Sequence, residues 1–278
     1  MSYIQYINGA FVLFLNLVLV ACTGSTDLTV NKDALLSGNC RLCDGRYADF
    51  SSLNLPNSDY AGSYLFNVNM DNANFEGSNF SSANLQVGEL NRSNFKKVNF
   101  QNASLQNASF KDANLRGANL IQADLNDASL ENSELSEAIL VTATLTDANL
   151  EGVFATKSNF RSASLKGSSF KNANLENADF EGADLSNANL QNANLRQANL
   201  KFAKLHGANL SNAILEYSNF MHADLTGANL KQAIIIGANF SQINLTRADL
   251  LNSVFNSVLK EGAIFCDARL PDGTQGEC

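Results

Sequence analysis

The stretch that decides the fold runs from residue 173 to residue 182: Ala173-Asn174-Leu175-Glu176-Asn177, then Ala178-Asp179-Phe180-Glu181-Gly182. The second five residues repeat the first in chemical type: small, then Asn or Asp, then large and apolar, then two polar places where Gly is common. Outward from this stretch the period of five holds in both directions with no shift of frame. The large apolar place falls at 50, 55, 60 and onward to 255, and of these 42 positions only Ala155 lacks a large apolar side chain. Two residues earlier stands Ala, as at 73, 83, 103, 108, 113, 118 and 123, with Ser, Val or Gly as occasional substitutes. Asn, Asp or Ser dominates the place just before the large residue.

Neither a helix nor a flat strand carries this pattern. A helix, with period 3.6, would smear the large residues around its axis, and a strand has period 2. A period of five brings one large and one small apolar group to the same side in every unit. That works when each unit is one side of a coil with a turn at each corner. Asn and Gly suit such turns, because Asn tolerates left-handed backbone and Gly adopts it freely.

The motif resembles the repeat of the pentapeptide-repeat family, A-[DN]-[LF]-x-x, and the resemblance covers most of the chain. It implies an all-β fold, a right-handed quadrilateral β-helix with four units per coil, so that residues twenty apart stack. Regrouping by twenty agrees: one column is Leu at every coil from Leu65, Leu85 and Leu105 to Leu245. Another holds Tyr60, Phe80, Phe100, Leu120, Leu140, Phe160, Phe180, Leu200, Phe220 and Phe240, so aromatic rings favour one side. About eleven coils, each roughly 4.8 Å above the last, make a rod on the order of 50 Å long.

Four segments are expected. Residues 1–21 read as a signal peptide, 22–47 as a linker and N-terminal cap, 48–263 as the β-helix and 264–278 as a C-terminal cap. The first 21 residues contain no charged side chain, and the apolar run Ala10 to Ala21 is broken only by Asn16. That run is too short to span a bilayer and fits the apolar region of a signal peptide. Leu19-Val20-Ala21-Cys22 resembles the lipobox of bacterial lipoproteins. The resemblance implies cleavage before Cys22, a diacylglyceryl group on its thiol, and a lipid-anchored place in the bacterial cell envelope facing periplasm or exterior. The segment before the apolar run has no Lys or Arg. An ordinary signal peptide, giving a soluble secreted or periplasmic protein, and an uncleaved anchor stay open as alternatives. Asn31 to Gly38 reads as a short helical cap.

Beyond Cys22 the cysteines form two local pairs, Cys40 with Cys43 and Cys266 with Cys278. In an exported chain such pairs are oxidised. A CxxC redox site would need a βαβ context that the repeat does not offer, and zinc would need the two distant pairs to meet. Structural disulfides are the better reading, the second pinning the tail after the turn signal Pro271-Asp272-Gly273. Exported members of the family often show a similar CxxC start and FC…PDG…C finish.

Two units depart from the motif. In Glu151-Gly152-Val153-Phe154-Ala155 the large residue comes one place early, so Phe154 either turns inward through a bulge or is exposed beside Ala155. Lys260 takes an inward place, which is expected to mark the end of regular coils.

No catalytic constellation, metal site or cofactor site is expected, since an interior of Leu, Phe and Ala leaves no room for convergent polar groups. His206 and His222 fall on outward places of different sides and read as solvated. Asn172, Asn192 and Asn212 read as a stacked hydrogen-bonding row. What departs from the family pattern is apolar residues at outward places. The side built on Phe100, Leu120 and Leu140 carries Ile121, Ile139 and Val141, then Phe202 and Met221. The neighbouring side carries Ile214, Tyr217, Ile234, Ile236 and Val254. Clustering on two adjacent sides suggests contact with a protein partner or a second copy. The net charge of −8 disfavours nucleic-acid binding. Two readings follow: a non-enzymatic, membrane-tethered interaction scaffold, or an acidic rod that imitates DNA toward gyrase or another DNA-binding protein, as some family members do.

Overall fold

The computed structural model describes residues 35–278. Within them the five-residue sequence period becomes a five-residue backbone cycle, two turn residues followed by a bridging residue flanked by two inward ones. The bridging place is the Asn or Asp place. Asn79 pairs in parallel with Asn99, Asn99 with Asn119, and each partner lies twenty residues on. Because the place recurs every five residues and pairs at twenty, four parallel ladders run along the molecule, one per side. Among the described residues only β1 (Ile234–Ile236) and β2 (Val254–Asn256) extend to strands, paired from Ile234↔Val254 to Ile236↔Asn256.

The turns explain the two polar places. Most close when the N–H of the small residue donates to the carbonyl of the large residue three places back, as Ala103 does to Phe100 at 3.0 Å. The residue just before that closure has positive φ in every unit from Leu42 to Asp267. Such backbone is costly for most side chains, hence the many Asn and Gly there. The bridging Asn acts in two directions. Asn99 Oδ1 accepts the N–H of Gln101 at 3.1 Å, fixing its own turn, while Asn99 Nδ2 donates to Asn79 Oδ1 at 3.2 Å on the preceding coil. Asn119 continues the row onto Asn99 at 3.0 Å.

Inward places are filled by the large and small apolar residues, which apart from Leu53 and Leu55 are almost completely buried from Phe50 to Leu250. Each buried Leu or Phe contributes roughly 1.5–3 kcal/mol. The aromatic column stacks like on like, with Tyr60 and Phe80 at 5.1 Å and Phe160 and Phe180 at 4.8 Å between ring centres. At several places where Ser replaces the small Ala, its hydroxyl donates back to the turn carbonyl, as Ser218 Oγ does to Leu215 O at 2.6 Å, while Ser63 and Ser93 donate to a carbonyl of the preceding coil. Burial pushes the pKa of the Tyr60 phenol up, and its hydroxyl donates to Leu35 O at 2.7 Å.

The bridges run from Asn39 to Arg269, past 48–263 at both ends. Of the helical cap at 31–38, Leu35 and Leu36 have helical backbone and residues before 35 lie outside the described ones. Phe154 makes no bulge: it keeps the ladder place between Glu134 and Asn174, half exposed, while Ala155 is buried. Lys260 does not end the coils. The ladders continue beyond it through Ile264 and Arg269, because on the outermost coil an inward-frame side chain can still reach solvent.

Both ends carry a disulfide. Cys40 is joined to Cys43, with Cα atoms 5.5 Å apart, and Cys266 to Cys278, with Cα atoms 4.1 Å apart. The tail folds back on the last coil through an antiparallel pair, Arg269 with Gln275, and through Gly276 N–H donating to Ala268 O at 2.7 Å.

Candidate functional site

The outward places hold whatever chemistry the rod can offer. Most are polar, and thirteen ion pairs among the described residues lie across all four sides, such as Lys96–Glu76, Arg116–Glu137 and Lys166–Asp184. Near-surface pairs of this kind contribute little each. Asp184 illustrates the balance: burial alone would raise its pKa, but hydrogen bonds from Ser186 and Lys166 hold it below its ordinary value.

The apolar outward residues do not form one continuous flank. Ile139 follows Asn119 in its ladder and is 39% exposed, with Ile121 and Val141 half-buried beside it. The next two coils of that side are charged, Arg161 holding Asp179 and Glu181 at 3.4 and 2.8 Å. Beyond them a second group begins. Phe202 is 49% exposed and lies flat against His222, ring centres 5.0 Å apart, with the Lys201 ammonium 4.9 Å from the Phe202 ring centre. His222 is therefore a stacking partner and not merely a solvated side chain. Met221 is half-buried on the same coil.

Around the corner the second group is denser. Ile214 pairs with Ile234, and Ile234 with Val254, so three successive rungs of one ladder are aliphatic. Ile236 lies two residues beyond Ile234 in β1. Tyr217, 55% exposed, lays its ring over Gly237 on the next coil, where any Cβ would meet the ring at 2.7 Å. The Arg196 guanidinium sits 5.7 Å from the centre of the same ring.

Two further groups escaped the sequence reading. Leu42, Tyr47 and Tyr64 are exposed and Phe66 half-buried at the first two coils. Their signal was present, outward apolar places on one side, but it falls where the repeat is only beginning. At the other end a cleft of about 620 Å³ opens over the last coil, lined by Leu250, Phe255, Lys260, Phe265, Leu270 and Cys278. It exists because no further coil covers Phe255 and Phe265. Cys266, Asp267 and Cys278 bring ligand-type atoms within 4.8 Å of one another, but the two sulfurs are bonded to each other. Cys22 lies outside the described residues, which include no helix long and apolar enough to cross a membrane.

The family model for a pentapeptide repeat region matches residues 63–140 and 103–180, and that for pentapeptide repeats matches 163–201, 178–216, 203–242 and 223–259. The chain belongs to the pentapeptide-repeat family, and its fold is the right-handed β-helix. Among solved structures it is similar to HetL, a pentapeptide repeat protein involved in heterocyst differentiation regulation from the cyanobacterium Nostoc sp. strain PCC 7120. The identity is 22%, over 91% of this chain and 100% of that one, with a TM-score of 0.52. A pentapeptide repeat protein of the Arabidopsis thaliana thylakoid lumen is 33% identical over 34% of this chain and 61% of its own, with a TM-score of 0.27. QnrB1, a plasmid-mediated fluoroquinolone resistance protein, is 22% identical over 63% of this chain and 87% of its own, with a TM-score of 0.32. No curated protein matches the chain.

Proposed function

We propose that this protein is a non-enzymatic scaffold of the bacterial cell envelope, tethered by lipid on Cys22, whose rod of about eleven coils offers an apolar strip to a protein partner or to a second copy. The observation that carries this reading is the aliphatic run Ile214, Ile234 and Val254, three successive rungs of a ladder whose other rungs are Asn except Glu134 and Phe154, with bonded pairs such as Asn74–Asn54 and Asn94–Asn74. At the aliphatic rungs the side-chain hydrogen bonds of the ladder are given up for surface that water does not favour. Such a trade is repaid when a partner covers the strip. Tyr217 and Ile236 widen it, and Ile121, Ile139 and Val141 form a smaller patch farther along the rod. The filled interior supports a role by contact and not by catalysis.

The test uses Ile214→Asn with Ile234→Asn, the residue the ladder itself employs at Asn174 and Asn194. Thermal unfolding should be no lower than that of the wild type. Sedimentation and cross-linking in envelope extracts should show a complex with the wild type that the double variant loses. Identical behaviour of the two proteins would remove the strip from the function.

The acidic balance favours a second reading, a DNA-imitating rod directed at gyrase or another DNA-binding protein. Lys and Arg interleave with the acids on every side, which breaks the continuous negative rows such imitation needs. Inhibition of gyrase supercoiling by the purified protein would restore that reading.

A further inference from the structure

The first two coils present a group of large outward side chains, whereas farther along the same side exposed large apolar residues occur only singly, as Val87 and Ile264. Tyr64 holds the bridging place between Asp44 and Asn84, and Phe66 follows two residues later. Tyr47, one coil earlier, meets the Phe66 ring edge-on at 5.8 Å, and its N–H donates to Phe66 O. At the opposite corner Leu42 leans over Gly62, occupying the space where a Cβ would lie 2.6 Å from its Cδ2. Leu42, Tyr47 and Tyr64 are 51%, 53% and 58% exposed. On the next two coils the bridging and following places on this side are polar, with Asn84, Gln86, Ser104 and Gln106.

We propose that this aromatic end of the rod docks on the lipid–water interface, with Leu42, Tyr47, Tyr64 and Phe66 as the membrane-contact residues. The proposal rests on the lipid tether at Cys22. Two observations favour lipid over a protein partner, and a third sets the kind of lipid. The first is position: the segment 23–34 between Cys22 and the described chain reaches at most ~45 Å when fully extended, so the first coils are the part of the rod held nearest the bilayer. Confinement of this kind lets weak contacts act, because tethering raises the effective concentration. The second is chemistry. Tyr offers an apolar ring with a polar tip, the combination that settles at headgroup depth, whereas the strip at the far end of the rod is mainly Ile and Val. The third is charge: Arg46 is paired with Asp44 and Arg41 with Asp59 at 3.7 Å, so the patch has no unpaired basic cluster to demand anionic lipid. Zwitterionic lipid should therefore suffice.

The chain contains no Trp, so a single introduced indole reports from one place. Full-length lipidated Phe66→Trp, Tyr64→Trp as a second emitter, and Ile214→Trp as a remote one would be reconstituted into phosphatidylcholine vesicles with and without acyl-chain bromine. All should float with the vesicles. Emission from the first two should shift to the blue and be quenched several-fold more than emission from Ile214→Trp. Adding Tyr47→Ser and Tyr64→Ser to Phe66→Trp should remove most of that quenching while flotation persists. Flotation without quenching, or equal quenching at both ends, overturns the docking and leaves the tether standing. Failure to float overturns the tether, and the docking with it.

Discussion

Val87 shows how strictly the turn governs single residues. It occupies the positive-φ place at φ 60°, where a β-branched side chain crowds its own backbone, and it is 43% exposed, so burial compensates little. Left-handed backbone costs a residue with a Cβ roughly 1–2 kcal/mol, and Asn tolerates it best among non-glycine residues. Val87→Asn is expected to raise stability by about 1 kcal/mol, and Asn102→Val, at φ 57°, to lower it by about as much. Denaturant unfolding of the two variants checks the pair. A loss of stability for Val87→Asn would mean that contacts of the Val87 side chain outweigh its backbone. The same place explains Phe202 and Tyr217, bulky residues at φ 59° and 56° that each lie along the next coil, Phe202 against His222 and Tyr217 over Gly237.

At the scale of the ladder, the bridging Asn joins a turn to its own coil and a coil to its neighbour. The row Asn79–Asn99–Asn119 stops at Ile139, and Asn159 lies one coil beyond. Ile139→Asn offers a carboxamide both to the Val141 N–H and to the flanking rungs. Each such hydrogen bond is worth about 1 kcal/mol net, while a half-exposed Ile loses only part of its burial. The variant is expected to melt a few degrees higher than the wild type, as differential scanning calorimetry would show. A lower melting temperature would mean that Ile139 is packed more tightly against Ile121 and Val141 than its exposure suggests. The two aliphatic interruptions, at Ile139 and from Ile214 to Val254, are thus places where ladder stability has been exchanged for surface character.

Across the whole molecule stability is a sum over neighbouring coils, since each coil touches only the one before and the one after. The tail pinned by Cys266–Cys278 covers the last coil, so its loss should be felt locally. Closing a loop of this size contributes on the order of 3 kcal/mol. Cys278→Ser is expected to speed hydrogen exchange at the Gly276 and Asp267 amides, which bond within the tail and last coil, and to leave Leu105 and Leu125 unchanged. A uniform loss of protection along the rod would instead make the molecule a single cooperative unit. The sequence by itself determined the repeat frame, the inward and outward places and the twenty-residue stacking, because one residue type maps onto one step of the backbone cycle, and a single misfit such as Phe154 does not shift it. The tertiary structure alone decided which outward residues meet. It showed that Ile121, Ile139 and Val141 are divided from Phe202 and Met221 by the Arg161 ion pairs, that His222 stacks on Phe202, that Lys260 does not end the coils, and that Leu42, Tyr47, Tyr64 and Phe66 gather at the first turns. The reason is physical. Inward contacts are set by the repeat itself and recur identically, whereas surface groups depend on side chains twenty residues apart and around corners. At the two ends the periodic neighbour that would define them is missing.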